Sequence, residues 1–314
     1  MDNGINKLFS FLGNLVWMKI QVVLKAEQGG KLPVYLGSAI RGVIGPRLEV
    51  ILGKVTHESS RSQLIIDTQF MNQKNFTKGD TVSFEICLLG DFRKQIHDII
   101  AIVGREMQLG EKKLIFSVQD LYLSPSPSLQ LENAKIKLVP RLNNGMNFIK
   151  KAKLKLDKTI AEIEILSPMR LRNKGSLLTQ FDVDIFFRRV WDRVLRYDLQ
   201  SSQRERGSVL NTPHFVDLIL YRSDNKWFSL EGLSYRQEKL HSLSGLVGRY
   251  RFGPMTLERW ALLFAGELLH AGEKTNFGLG RYRIRKAFPH QRIEDPMSNA
   301  PHEAKTIEDC YVVF

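Results

Sequence analysis

The chain has 314 residues, 43% of them hydrophobic, which is enough for one large domain or two medium ones with their own cores. The formal net charge of +13 favours a polyanionic partner, nucleic acid before an anionic membrane surface, although a generally basic protein remains the alternative. Its two cysteines, Cys87 and Cys310, exclude a cysteine-based zinc cluster and a disulfide framework. No apolar run spans a bilayer and no signal peptide is recognisable, so we expect a cytoplasmic protein.

The first half of the chain alternates strand and helix patterns. Residues 14–26 are rich in Val, Ile and Trp, and residues 81–89 alternate between apolar and polar. The second helix pattern places isoleucines at helical spacing behind an aspartate cap. The first helix pattern contains Pro46 and three internal glycines, which count against one straight helix. The predicted order is strand 14–26, helix 34–53, strand 81–89, helix 91–107 and strand 113–123, with one further strand not located.

The second half repeats this order. It predicts strand 152–168, helix 182–199, strands within 226–252, helix 257–272 and strand 280–288. The chain therefore predicts an α+β protein with two copies of a β-α-β-β-α-β plan joined near residues 140–152. The expected domains are 1–145 and 146–288, followed by a surface extension over 289–314.

A glycine-rich loop follows the last predicted helix, in the stretch HAGEKTNFGLGRYRI (270–284). It is not a P-loop, because Glu273 precedes the Lys-Thr pair, and it is not a dinucleotide fingerprint, because it runs from helix to strand and lacks the third glycine. Glycine allows backbone N–H groups to approach a phosphodiester closely, with nearby cations supplying sequence-independent attraction. The alternative is a tight turn whose aromatic side chains pack in the core.

Several segments together resemble the CRISPR-associated endoribonuclease of the RAMP superfamily, which cuts precursor CRISPR RNA within its repeats. The resemblance is most specific in the last third of the chain and looser before it. It is carried by LPVYLGSAIRGVIGPRL (32–48), LSPMRLRNKG (166–175), DIFFRRVWDRV (184–194), LEGLSYRQEKLHSLSGLVGRYRF (230–252), LERWALLFAGELLHAG (257–272) and EKTNFGLGRYRI (273–284).

The resemblance implies two tandem ferredoxin-like domains, of the RRM-like type, and binding of CRISPR repeat RNA with the glycine-rich loop in contact with it. It also implies cleavage without a metal or other cofactor, in which a ribose 2′-hydroxyl attacks the adjacent phosphate and leaves a 2′,3′-cyclic phosphate. Other CRISPR effector subunits are further expected partners, and no interaction with a membrane is expected.

Such cleavage needs proton transfer and stabilisation of a charged phosphorane, which suit histidine and lysine or arginine. By resemblance, the first catalytic candidate is His57, after the first helix, with Lys54 and Arg41 facing the phosphate and Tyr35 orienting them. His270, at the end of the last helix, is second. A solvated loop position for His57 and a favourable helix-dipole contact for His270 are the alternatives.

The RNA-binding candidates are the glycines, cations and polar residues of three basic segments. They are Arg170, Arg172, Lys174, Arg236, Lys274, Thr275, Asn276, Gly278, Gly280, Arg281 and Arg283. Pro46 stands where some relatives have a histidine directly after the glycine, so a non-cleaving RNA-binding subunit of a CRISPR effector complex is the rival function. A basic RNA-binding protein unrelated to CRISPR is a third.

Overall fold

The computed structural model describes residues 2–52, 63–68, 75–110, 112–124, 128–129, 142–201, 215–234 and 239–289. Its helices are α1 Asp2–Asn14, α2 Gly37–Leu52, α3 Ile96–Val103, α4 Met146–Lys153, α5 Val183–Ser201 and α6 Leu257–Leu269, with 3-10 turns at Arg93–Gln95 and Thr275–Phe277. Within these described ranges, no helix is long and apolar enough to cross a membrane.

The first sheet is antiparallel and has the ferredoxin-like strand order. Its main strands are β1 Val16–Ala26, β2 Leu64–Asp67, β3 Thr81–Leu89 and β4 Leu114–Ser124, in the order β2-β3-β1-β4. Short strands Met107–Leu109 and Ser128–Leu129 pair with β4, Asn143–Asn144 pairs with β1, and Gly30–Lys31 pairs with Asn75–Phe76. One face of this sheet packs against α2 and α3 in a core that includes Ile20, Ile40 and Ile99.

The second sheet repeats the arrangement. Its main strands are β5 Ile160–Met169, β6 Ile219–Ser223, β7 Gly245–Gly253 and β8 Tyr282–Phe288, in the order β6-β7-β5-β8, and Lys226–Phe228 also pairs with β7. Two small hairpins, Arg172–Asn173 with Ser176–Leu177 and Glu231–Ser234 with Lys239–Ser242, lie off this sheet. Its core is aromatic: Phe186 of α5 packs against Phe252 and Tyr282. The α+β prediction with tandem ferredoxin-like folds is confirmed.

The two folds share a hydrophobic core. Trp17 of β1 stacks on Phe148 of α4 with ring centroids 5.0 Å apart, and Ile65 and Cys87 of the first sheet belong to the same buried cluster as Phe186 of α5. The face of the first sheet opposite α2 and α3 therefore packs against the second fold. The proposed domain limits, 1–145 and 146–288, remain a prediction, and residues 290–314 of the expected extension lie outside the described residues.

Local structure departs from the sequence expectations at identifiable places. Helix α2 continues through Pro46, whose ring is exposed on the solvent side. The alternating pattern from residue 152 becomes strand only at Ile160, because residues 146–153 form helix α4 and bury Phe148, Ile149 and Ala152 on one side. Helix α6 ends at Leu269, earlier than expected, where His270 takes a φ of 59°.

Candidate functional site

The glycine-rich loop connects α6 to β8 and uses its backbone donors within the protein. The Gly278 N–H donates to the Thr275 carbonyl at 2.9 Å, and the Gly280 N–H donates to the Pro168 carbonyl at 3.0 Å. Both glycines are buried and have φ values of 82° and 72°. These two N–H groups are therefore occupied in this structure, in contrast to the expectation that they would face a phosphodiester.

The loop glycines are required by close contacts with protein atoms. A Cβ on Gly278 would overlap the Ile66 carbonyl oxygen of β2, and one on Gly280 would overlap the Ala271 carbonyl oxygen. On the other side of the contact, a Cβ on Gly37, at the start of α2, would overlap the Phe277 carbonyl oxygen. Glycine thus lets the loop of the second fold meet the first fold backbone to backbone.

Side chains complete this contact between the folds. The buried Tyr35 hydroxyl donates to the Phe277 carbonyl at 2.7 Å, and burial raises the pKa of Tyr35, so the phenol stays protonated. Arg281 pairs with Asp67 at 2.8 Å. Burial raises the pKa of Asp67 to about 6, although the Arg281 charge acts against that rise. Tyr35 is therefore a residue that positions the loop, with its hydroxyl directed at a carbonyl.

His270 lies beneath the loop, away from solvent. Its side chain is buried, it hydrogen-bonds to the Leu279 backbone, and its Nδ1 has no hydrogen-bond partner among the described residues. Burial, reinforced by the nearby charges of Arg281 and Arg193, lowers the pKa of His270 to about 3. A neutral, enclosed imidazole favours a structural role over the proton-transfer role considered from the sequence.

The remaining catalytic candidates follow α2. Lys54 and His57 lie outside the described residues, just beyond the end of α2 at Leu52. Arg41 lies within α2 and is buried, with its guanidinium against Gly45 and its Nη2 3.3 Å from Glu49 Oε1. The structure thus brings Tyr35 next to the glycine-rich loop but directs Arg41 to an acidic residue of its own helix.

The basic segment 170–174 packs beside the loop. Arg170 is buried, donates to the Ser244 carbonyl and lies 3.8 Å from Glu273, whereas Arg172 lies 2.7 Å from the same carboxylate. Lys174 is exposed at the tip of its hairpin with a φ of 47°. Arg170 is thereby an internal anchor, and the cations nearer the surface are Arg172 and Lys174.

The other polar candidates in and near the loop also divide into buried residues and residues nearer the surface. Lys274 donates to the Ser242 carbonyl at 2.9 Å, Thr275 is buried, and Asn276 is partly exposed. Arg283 pairs with Glu164 at 2.8 Å on the open face of the second sheet. Arg236 lies outside the described residues.

Two positioning residues were not identified from the sequence. Ser167 accepts from the Arg281 N–H at 2.9 Å and donates to the Gly278 carbonyl at 2.7 Å, and Asp67 holds the Arg281 guanidinium. The signal available for Asp67 was a carboxylate ending the apolar strand LIID in a chain with an arginine-rich last strand. Nothing in the local sequence indicated Ser167.

This arrangement can be compared with known proteins. A family model described as CRISPR-associated endoribonuclease Cas6 matches residues 163–282, which run from β5 to the start of β8 and include the whole glycine-rich loop. The predicted resemblance is confirmed. By sequence, no curated protein matches the chain.

Solved structures share the fold at low identity. A partial Cas6-RT-Cas1–Cas2 complex matches with TM-score 0.58 and 13% identity over 89% of this chain, which spans only 48% of that longer one. A Cas6 product complex matches with TM-score 0.55 and 18% identity over 86% of this chain and 100% of its own. A Cas6-related protein from Pyrococcus furiosus matches with TM-score 0.50 and 16% identity, covering 86% and 99%. These Cas6 structures extend the similarity to both folds.

Proposed function

We propose that the chain is an endoribonuclease that binds CRISPR repeat RNA and cleaves precursor CRISPR RNA. The observation that carries this proposal is the match of residues 163–282 to the Cas6 endoribonuclease family. It is joined by a fold similarity to a Cas6 product complex that covers 86% of this chain and all of that one. The positive charge of the chain suits an RNA substrate.

The proposed reaction uses the ribose 2′-hydroxyl beside the scissile phosphate as the nucleophile. A base removes the 2′-hydroxyl proton as the new oxygen–phosphorus bond forms, and an acid protonates the 5′-oxygen as its bond to phosphorus breaks. The upstream product then ends in a 2′,3′-cyclic phosphate. This route uses proton transfer by side chains and requires no metal ion, and each transfer contributes roughly 10²–10⁴-fold.

The roles proposed for Arg41, Tyr35 and His270 follow from their burial and contacts, whereas those of His57 and Lys54 come from the sequence resemblance. His57 is the proposed proton-transfer group and Lys54 the proposed cation at the phosphorane. Both assignments rest on the sequence resemblance, because these two residues lie outside the part of the chain that the structure describes. Arg41 and Tyr35 are proposed to act through positioning, since Arg41 is paired with Glu49 and Tyr35 with the Phe277 carbonyl. His270, with its lowered pKa, is not assigned a proton-transfer step.

Among the described residues, the cations proposed to contact RNA directly are those at the surface. These are Arg172, Lys174, Arg283 and, through its exposed part, Lys274, while Asn276 is available for base or ribose contacts. Arg236 remains a candidate from the sequence. Arg170, Thr275, Gly278, Gly280 and Arg281 are proposed to hold the loop in shape, so their substitution would affect RNA binding indirectly.

Two Cas6 neighbours suggest the kinds of partner. One is described as a product complex, and another belongs to a Cas6-RT-Cas1–Cas2 complex. We propose repeat RNA as the first partner and other CRISPR effector subunits as further ones. The rival function, an RNA-binding subunit without cleavage, is favoured by Pro46 in the place where some relatives have histidine.

The test compares cleavage and binding of repeat RNA by the wild type, His57→Ala and a control, His97→Ala, which removes an exposed histidine from α3. We expect His57→Ala to reduce the single-turnover rate about 10²–10⁴-fold with unchanged RNA affinity. His97→Ala should behave as the wild type. Tight binding without cleavage by the wild type would support the rival function, and absence of RNA binding would contradict both.

A further inference from the structure

The face of the second sheet opposite α5 and α6 is covered by charged side chains. In β5, Ile163 and Ile165 point into the core, whereas Glu162 and Glu164 point to this open face. Their registered neighbours are cations on both sides: Glu164 lies between Arg249 of β7 and Arg283 of β8. Glu162 lies between Arg251 and Lys286 in the same way.

One carboxylate at the centre of this face is shared by three guanidinium groups. Glu164 Oε1 lies 3.3 Å from Arg249 Nε, and its Oε2 lies 2.8 Å from Arg283 Nη2 and 2.6 Å from Arg285 Nη2. The arginine side chains are 55%, 38% and 28% exposed, against 18% for the glutamate. The carboxylate is thus enclosed by cations whose outer edges face water.

The charges of this face do not balance. Glu162 neutralises Arg251, which it contacts at 2.7 Å and which also lies 4.4 Å from the Phe288 ring centroid. Glu164 carries one negative charge for three arginines, and the exposed Lys286 adds another positive charge. If these side chains formed only cross-strand ion pairs, the face would carry equal numbers of positive and negative side chains. The excess of fixed cations indicates a surface suited to a further anion.

We propose that this open face, the arginine face, extends the RNA contact proposed for Arg283 into a surface that contacts the phosphates of single-stranded RNA without reading its sequence. Guanidinium groups match the geometry of phosphate oxygens, and the exposed Arg249 and the partly exposed Arg285 both offer theirs on this face. RRM-type sheets bind bases by stacking them on aromatic side chains of the central strands. Here those central positions hold Glu164, Arg249 and Arg251, so contacts go to the backbone and base identity has no effect.

Glu164 holds the three guanidinium groups together on this side of the sheet. A phosphodiester lying over the arginine face would share these guanidiniums with the carboxylate and neutralise the remaining charge. The choice of RNA as the polyanion rests on the proposed function. An acidic protein segment is the competing occupant and is distinguished by the experiment.

The test uses the full chain and a short unstructured RNA that lacks the repeat sequence. Affinity is measured by fluorescence anisotropy over a series of salt concentrations for the wild type and Arg249→Gln/Arg285→Gln. We expect the double variant to bind roughly tenfold more weakly and its log–log salt slope to fall by about 1.4, for two lost phosphate contacts on a single strand. Changing the RNA sequence at constant length should leave the wild-type affinity unchanged.

The matched control is Arg93→Gln/Lys94→Gln, which removes two exposed cations from the first fold and should leave both quantities unchanged. Arg249→Lys/Arg285→Lys retains the charge and should keep the salt slope, which guards against loss of folding in the glutamine variant. The proposal would be overturned if the glutamine variant bound the oligonucleotide as tightly as the control does. It would also be overturned if the wild type failed to bind the oligonucleotide or bound polyglutamate in preference to it. Cleavage of a minimal repeat RNA by the glutamine variant reports separately on the proposed function.

Discussion

Substitution of Gly278 tests whether the loop glycines serve contact between the two folds. Gly278 has a φ of 82°, and a Cβ there would overlap the Ile66 carbonyl oxygen and lie 2.6 Å from the Tyr35 hydroxyl. The matched control is Gly175, which has a φ of 84° and no atom within 4 Å of its Cβ position. Alanine at either site therefore takes on the same backbone strain, and only Gly278→Ala also disrupts a contact.

The expected loss of stability is clearly larger for Gly278→Ala than for Gly175→Ala. The left-handed conformation costs alanine about 1–2 kcal/mol at both sites. At Gly278 the Tyr35 hydrogen bond, worth about 1 kcal/mol, is lost and the Ile66 backbone must move, so the total reaches about 3–4 kcal/mol. With a change of roughly 2–4 °C per kcal/mol, Gly278→Ala should melt about 4–8 °C below Gly175→Ala.

Thermal unfolding followed by circular dichroism measures this difference, and anisotropy with repeat RNA measures binding on the same samples. We expect Gly278→Ala to lose stability first and RNA affinity only as a consequence, with binding partly recovered at low temperature. The reasoning would be refuted if the two variants melted at the same temperature and only Gly278→Ala lost RNA binding. That result would instead support direct contact between the loop and phosphate.

Two further predictions concern ionisable groups. The pKa of His270 is lowered to about 3 from its usual 6.5, so below pH 6.5 the unfolded chain binds a proton that the folded chain does not. The comparison is with His270→Asn, because asparagine tolerates the positive φ of this position. From pH 6.5 towards 3, the free energy of unfolding of the wild type, measured with urea, should fall relative to that of the variant by up to about 1.4 kcal/mol per pH unit. A difference between the two proteins that does not change with pH would contradict this. Arg281→Gln should destabilise the protein by about 2 kcal/mol near pH 8, because Asp67 stays buried without its cation. The loss should shrink at pH 5, below the folded-state pKa of Asp67 of about 6, and Asp67→Asn in the same background should restore part of it.

Much of the fold was predictable because local patterns and tertiary packing agree. Strand 81–89 alternates along its length and forms β3 at the same residues. In α5, Asp182 caps the helix by accepting the Ile185 N–H at 3.0 Å, which places its start one residue after the predicted one. Strand β2 was not located, because its four residues are too few for a period to show.

The site was less predictable, because its contacts join residues far apart in the chain. The sequence marks Gly278 as conformationally free, but only the folded chain shows that the Ile66 carbonyl occupies the space beside it. Similarly, Arg170 and Arg172 look equivalent in the sequence, yet one is an internal anchor and the other is nearer the surface. Burial, which depends on tertiary packing, decides which cations remain at the surface.

The central claim is cleavage of repeat RNA by its own 2′-hydroxyl, and one measurement tests it most directly. Purified protein is incubated with repeat RNA in excess chelator, alongside the same RNA with a single 2′-deoxy substitution at the mapped cut position. The account predicts cleavage of the first RNA with a 2′,3′-cyclic phosphate on the upstream product, and tight binding without cleavage of the second. Cleavage of the deoxy substrate at the same position, or an upstream product ending in a 3′-hydroxyl, would contradict the account.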